Sequence, residues 1–302
     1  MPVLVIGSYN IDLVIRCPRL PAPGETILGG TFAQHHGGKG ANQAVAAARL
    51  AAAGQVRFVA KVGHDAFGRQ ALTQLRAEGV DTAGVTVAPG QPSGVALINV
   101  VTETGENSIS VAAGANEHLH PADADAALAT AAPGTVVVLQ LETPLPTVVH
   151  AARQAAARGL RVILNPAPAQ SLPAGLGADL YALTPNETEA ETLTGVRVTD
   201  AATAALAAAR LHAAGISRVV ITLGAQGAYW SNGTGAALVA APAVRAVDTT
   251  AAGDCFTGAL AVAVAEGHAL PEAVVFACRA AALAVTRPGA QASLPTRAEL
   301  AG

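Results

Sequence analysis

The sequence predicts an α/β fold, a parallel β-sheet covered by helices on both faces, with a small antiparallel β-sheet folded over one end as a lid. Short apolar, β-branched runs recur along the chain: VLVIG (3–7), RFVAKVG (57–63), TVVVLQLE (135–142), RVILN (161–165) and RVVITLG (218–224). Ala-rich segments of helical length separate them, and strands spaced by helices form parallel sheets buried on both sides. Two stretches, about 12–36 and 94–114, instead alternate at period two with no helix inside them, the pattern of antiparallel strands.

The first strand, 3–7, runs into GSYNID (7–12), the position after a strand where open α/β sheets place ligand contacts. Helices over 41–53 and 66–78 stop near Gly54 and Gly79 on either side of strand 57–63. Helices over 122–131 and 144–158 flank strand 135–142, the second stopping at Gly159 before strand 161–165. Those over 187–194 and 200–214 end at Gly195 and Gly215 ahead of strand 218–224, and helices 254–266 and 272–285 follow. Pro, Asp or Thr at the starts and Gly at the ends are the expected punctuation. Because both period-two insertions leave the main layers after strands, 1–302 reads as one domain whose lid overlies the strand C-termini.

Composition narrows the function. With 51% hydrophobic and 13% charged residues the chain can bury a large core. A net charge of −3 with 18 scattered Lys and Arg supplies no field for a phosphate backbone, which argues against nucleic acid as a partner. Cys17, Cys255 and Cys278 are odd in number and contain no C-x-x-C pair, so a reducing compartment is expected. The N-terminus has no basic n-region, and Arg49, Pro133, Glu266 and Arg279 interrupt the apolar stretches before a membrane span is reached. A cytoplasmic location is therefore expected.

Several motifs carry chemistry. GGKGAN (37–42) is not a Walker loop, because Ala33 and Gly40 stand where that loop needs Gly and Ser or Thr. It is either a plain turn into a helix or a ligand contact in which glycines admit a ligand close to the backbone and Asn42 offers an amide. Asn10 and Asp12 of GSYNID point to one side of an extended chain and offer an amide and a carboxylate to adjacent hydroxyls; as an isolated pair they would serve a turn or a cap. In VDTTAAGD (247–254) the small residues Ala251, Ala252 and Gly253 lead into a helix whose free N–H groups form an anion hole. Asp254 there is either a dipole-complementing acid or a proton acceptor for a hydroxyl beside that hole. Glu187, Glu189 and Glu191 of TPNETEAE (184–191) exceed what a helix start needs and suit Mg²⁺ held through water. TLGAQG (222–227) is a glycine-rich turn compatible with nucleotide contact, and His35 and His36 show no metal-ligand spacing.

Taken in order and spacing, GSYNID, GGKGANQAVAAARL, QLETP, NPAPA, TPNETEAE, ITLGAQGAYW, VDTTAAGD and AVTRPGAQAS resemble the pfkB-type carbohydrate kinase family from about residue 3 to 297. The resemblance implies a Rossmann-like three-layer α/β/α domain with a β lid that also builds a homodimer. It implies ATP-dependent phosphorylation of a sugar, closest to the members that act on O5 of D-ribose. Sugar contacts would come from Asn10, Asp12, Gly38, Lys39, Asn42 and Glu142, with Asp254 as base. Asn186, Thr222, Gly224, Gly227 and Gly253 would face ATP, Cys278 would lie near the adenine, and Glu189 would support Mg²⁺. A K⁺ ion beside the anion hole would take the side chains of Asp248 and Ser293 and the carbonyls of Thr250, Ala284, Arg287 and Gly289. Tyr9 after Ser8, Thr250 before AAGD and Cys278 are this chain's departures. The alternatives are a kinase of the same fold acting on another sugar or a nucleoside, and a sugar-sensing protein without catalysis. A base-bearing substrate would want stacking surface that 3% aromatic residues scarcely supply, and a sensor has no use for a proton acceptor at an anion hole.

Overall fold

The computed structural model describes residues 2–301. In chain order, β1 (Val3–Ile6) leads into β2 (Asn10–Cys17) and β3 (Thr31–Gly37), then α1 (Lys39–Leu50), β4 (Val56–Val62), α2 (Ala66–Ala77), β5 (Asp81–Val87), β6 (Gly94–Val101) and β7 (Asn107–Ala112). The chain continues through α3 (Pro121–Leu128), β8 (Val136–Leu139), α4 (Leu145–Ala157), β9 (Arg161–Leu164), β10 (Ala182–Leu183), α5 (Glu187–Thr194), α6 (Ala201–Ala213) and β11 (Val219–Thr222). A hairpin of β12 (Ala228–Ser231) and β13 (Ala236–Val239) precedes α7 (Ala252–Ala265), α8 (Leu270–Ala284) and α9 (Arg297–Ala301).

The large sheet has the order β13-β12-β11-β10-β9-β8-β1-β4-β5. Strand alternation sends its side chains into two separate cores. Val3 and Val5 of β1, with Val136 and Val138 of β8, pack with α1, α2, α7 and α8. Leu4 and Ile6, with Val137 and Leu139, pack with α3, α4 and α6 on the other face. These are the three layers that the apolar runs predict. Since β1 pairs in parallel with both β4 and β8, the strand order reverses there, and the crevice beyond the C-termini of β1 and β8 is where such a sheet binds ligands.

The two period-two insertions form one small sheet, β3-β2-β6-β7. Its hairpins β2–β3 and β6–β7 are antiparallel as expected, but β2 and β6 run parallel through Asn10–Cys17 and Gly94–Val101. Each hairpin leaves the main layers in the same direction and meets the other along its outgoing strand, a relation that no local pattern encodes. β5, β10, β12, β13 and α9 are further additions to the predicted elements. The short β12 and β13 lie antiparallel on the sheet edge, joined by a turn in which Asn232 Oδ1 accepts from Thr234 N (3.1 Å) and Gly235 N (2.7 Å). Among the described residues no helix is long and apolar enough to cross a membrane.

Candidate active site

The site is built where the β1 loop, the start of α1, the end of β8 and the start of α7 converge. Gly38, at φ +87°, caps α1, and a Cβ there would stand 2.7 Å from Asn10 N and 2.8 Å from Tyr9 Cα, so only glycine lets these backbones touch. Glu142, just beyond β8, ties them together: its Oε2 accepts from Ser8 Oγ (2.6 Å) and from Lys39 N (2.9 Å). Its Oε1 has no protein partner among the described residues, which leaves it for a ligand. Asn10 and Asp12 share one face of β2, as alternation requires.

A buried polar network holds Asp254. Oδ2 accepts from Asn42 Nδ2 (2.9 Å) and Oδ1 from Gln43 Nε2 (2.9 Å). Gln43 Nε2 also donates to Asn165 Oδ1 (3.0 Å), and Gln43 Oε1 accepts from Gln140 Nε2 (2.6 Å). Asn165 and Gln140 stand at the ends of β9 and β8, so the sheet itself sets the position of the carboxylate. Helices α1 and α7 approach closely because Gly258 faces Ala46, where a Cβ would come within 2.8 Å of the Ala46 Cβ.

The start of α7 is exposed chemically rather than capped. Its N-cap is Ala251 at φ +59°, with no side-chain cap, a left-handed conformation that is strained for a residue other than glycine. No protein acceptor takes the Gly253 and Asp254 amides among the described residues, so they are free for an anion. They open into a cavity of about 210 Å³ lined by Lys39, Asn165, Asn186, Glu189, Thr222 and Ala251–Asp254 among others. A larger open groove of about 450 Å³, between His36 and the Arg69–Gln74 face of α2, contains none of the Asp254 network and is set apart from this chemistry.

Four carboxylates, Asp12, Glu142, Glu189 and Asp254, and one ammonium, Lys39, make the local field. Burial, reinforced by Glu142 and Asp254, pushes the Asp12 carboxyl up to about 7. Burial alone would lower the Lys39 ammonium, but Asp254, Glu142 and Glu189 outweigh it and hold it above its usual range. Burial also lifts Glu189, against the opposing pull of its bond from Asn186 N–H and of Lys39. Fully buried Tyr9 lies behind the Asn10–Asp12 strand with its hydroxyl on His36 Nδ1, and burial and then Asp12 raise its pKa.

A sequence pattern described as the pfkB family carbohydrate kinase matches residues 2–297. The chain belongs to the pfkB family of carbohydrate kinases. It is 44% identical over 295 residues to a ribokinase of Haemophilus influenzae, covering 98% of this chain and 95% of that one. It is 42% identical over 298 residues to a ribokinase of Bacillus subtilis, covering 99% and 97%. A solved structure of Arabidopsis thaliana ribokinase complexed with ribose and ATP matches with a TM-score of 0.89 at 33% identity, covering 99% of this chain and 97% of that one.

In this carbohydrate kinase the remaining predicted residues fall into separate groups. Asn186 and Thr222 line the cavity, while Gly224 and Gly227, at φ +52° and +104°, shape the turn just beyond β11. Glu189 lines it too, but both its oxygens accept from Asn186, at N (2.9 Å) and Nδ2 (3.1 Å), in a capping box. Cys278 is buried in the core with α7, and burial pushes its thiol up to about 11. Asp248 draws two loops together: Oδ1 accepts from Thr250 N (2.9 Å) and Oγ1 (2.6 Å), and Oδ2 from Gly289 N (2.8 Å). Burial opposes ionisation of Asp248, yet these donors hold its carboxyl below the usual range. Arg287 N donates to Ala284 O (3.1 Å), the carbonyl of Val285 between them accepts from Val247 and Asp248 N–H, and Ser293 Oγ donates to Ala290 O (2.8 Å).

The structure adds Gln43, Asn116, Gln140 and Asn165 to the site. Gln43, Gln140 and Asn165 lie inside GGKGANQ, QLETP and NPAPA, where an uncharged polar residue beside apolar neighbours was the available signal. Asn116, in AAGANEH, is not distinguished from an ordinary loop amide by its neighbours.

Proposed function

We propose that this chain transfers the γ-phosphoryl group of ATP to the 5-hydroxyl of D-ribose, giving ADP and ribose 5-phosphate. The observation that carries the reading is Asp254, a carboxylate held by two amide donors at the start of an uncapped helix whose free N–H groups face a cavity. The hydroxyl proton passes to Asp254 as its oxygen attacks the γ-phosphorus in line, and the free amides of Gly253 and Asp254, presented by the Ala251–Ala252 turn whose own Ala252 N–H is taken by Thr249 O (3.2 Å), take up charge on the transferring group. Little covalent chemistry falls to the protein; positioning and charge stabilisation do the rest. Asp12 and Glu142 accept from sugar hydroxyls, Asn10, Lys39 and Asn42 donate, and Gly38 admits the sugar to the backbone. Asn186, Thr222, Gly224, Gly227 and Gly253 lie on the nucleotide side, with Cys278 behind the adenine.

Among the described residues no group of three or more His, Cys, Asp or Glu could hold a metal ion. Mg²⁺ would accordingly stay with the phosphates and water, Glu189 ordering that water, and would neutralise phosphate charge. K⁺ fits the Asp248 loops: hydrogen bonds gather Thr250 and Gly289 on that carboxylate, and nearby Gln291 is buried with neither end of its amide partnered. A bound K⁺ would use Asp248, Ser293 and the carbonyls of Thr250, Ala284, Arg287 and Gly289 to steady the loop that forms the anion hole. A coupled ADP-release assay over ribose, 2-deoxyribose, fructose and adenosine, run in K⁺ and in Tris, tests both readings. Ribose turnover well above the others and severalfold higher in K⁺ is expected. Equal turnover without K⁺ rejects the cation, and no ribose turnover rejects the substrate.

The small sheet serves as a lid and as a dimer surface. Ile15 and Phe32, a direct cross-strand pair, are exposed together with Leu97 on one face, an apolar patch that a second copy would cover. Light scattering should give a dimer at micromolar protein, and Leu97→Lys should shift it to monomer; a monomeric parent refutes the surface. The free, buried Cys17, Cys255 and Cys278 suit a reducing cytoplasm.

A further inference from the structure

Asn116 sits in the single 3₁₀ turn Gly114–His118, where the chain returns from β7 to the main layers, and is 1% exposed. Its carboxamide engages the first residues of β2 and the residue before them. Oδ1 accepts from Tyr9 N (2.9 Å), while Nδ2 donates to Tyr9 O (3.0 Å) and to Asn10 Oδ1 (2.8 Å). The two backbone groups settle the orientation, because an N–H only donates and a C=O only accepts. With Asn116 so fixed, its second Nδ2 hydrogen must meet an acceptor, and Asn10 can offer only Oδ1. Gly94 closes over the pair: a Cβ there would stand 2.2 Å from Asn10 Oδ1 and 2.3 Å from Asn116 Nδ2. Asn10 Nδ2 has no protein partner among the described residues, so its two N–H groups are what this side chain has left to give.

We infer that Asn116 is a positioning residue that sets the polarity of sugar recognition, committing Asn10 to donate and leaving Asp12, two residues along the same face, to accept. The inference rests on the ribose reading for the identity of the ligand. An unrestrained Asn turns either end toward a hydroxyl, whereas a locked one leaves its donors unpaired when that hydroxyl is missing. Buried polar groups left unpaired are what make such a site reject a deoxy-sugar strongly.

Asn116→Asp tests this directly, because it places an oxygen opposite Tyr9 O and Asn10 Oδ1. Asn10 then turns Nδ2 toward the new carboxylate and presents Oδ1 to the sugar. The full-length variant should show a KM for ribose raised at least about tenfold with kcat within about threefold of the parent. Its discrimination between ribose and either 2-deoxyribose or 3-deoxyribose should fall. A buried carboxyl keeps its proton to higher pH, and once protonated it donates again. The KM ratio of variant to parent should therefore narrow as pH falls from about 8 to about 6. Asn116→Ala, which removes the clamp without adding charge, should also raise KM and lose deoxy-sugar discrimination. It decides the matter if the Asp variant fails to fold. Parental KM and discrimination in folded Asn116→Ala overturn the inference, as does a raised KM ratio in Asn116→Asp that does not narrow as pH falls. A parent that phosphorylates no ribose would instead overturn the proposed function.

Discussion

Asp254→Asn should lower turnover at saturating ribose and ATP by at least about a hundredfold while ribose affinity changes much less, because general-base catalysis typically contributes about 10²–10⁴ in rate. The side chains are nearly isosteric, so the pocket keeps its shape. The amide brings its own N–H₂ toward Asn42 or Gln43, both of which donate to the carboxylate in the parent. Asn42 Oδ1 is buried and without a partner, so turning that amide over offers an acceptor and relieves the clash. The thermal midpoint should therefore stay close to that of the parent, and the loss should appear in kcat. Steady-state kinetics and ribose calorimetry on the same preparation separate the two. Near-normal turnover would make Asp254 a helix-start acid after all, and the acids of TPNETEAE and Glu142 would become the candidates for proton acceptor.

Gly253→Ala should abolish most activity without costing stability, an outcome opposite to that of an ordinary glycine replacement in a packed structure. Gly253 lies inside α7 with no left-handed φ to satisfy, and an added Cβ would meet nothing within 4 Å. Alanine is the better helix former by up to about 1 kcal/mol, so the variant should melt no lower than the parent. The empty space beside it is the mouth of the anion hole, where a methyl group would stand in place of a phosphoryl oxygen. Displacing a reacting group by about 1 Å can cost about 10² in rate, and at least that loss is expected in kcat/KM for ATP. A variant with parental kinetics would show that the phosphoryl group does not pass this amide.

The candidate site was legible in the chain wherever a role depends on neighbours in sequence. Asn10 and Asp12 share a face because strand alternation requires it, and the small residues 251–253 open a helix without a cap because none of them carries a capping oxygen. The uncapped helix start on which the anion-hole reading rests is thus a property of the backbone itself. The second task of Glu189 was not legible: the same carboxylate that suits Mg²⁺ through water also accepts one bond from Asn186 at each oxygen, which keeps a lone pair on each for water. The roles of Gln43, Gln140 and Asn165 were not legible for a related reason, although their motifs were, since an amide's partner depends on what the fold carries to it.

By itself the sequence determined the layers. Apolar runs at strand length between Ala-rich helical segments can bury themselves only as a sheet between two helix layers, and the chain does so in two cores. Period-two insertions without helices likewise had to form a small separate sheet. Only the tertiary structure decided that β2 and β6 run parallel, that the sheet ends in an antiparallel hairpin, and that Asn42 reaches Asp254 across 212 residues. Local propensity and periodicity act over one or two turns of chain. Which strand lies beside which, and which amide meets which carboxylate, follow instead from closing long loops onto a shared core, a choice made by the whole chain at once.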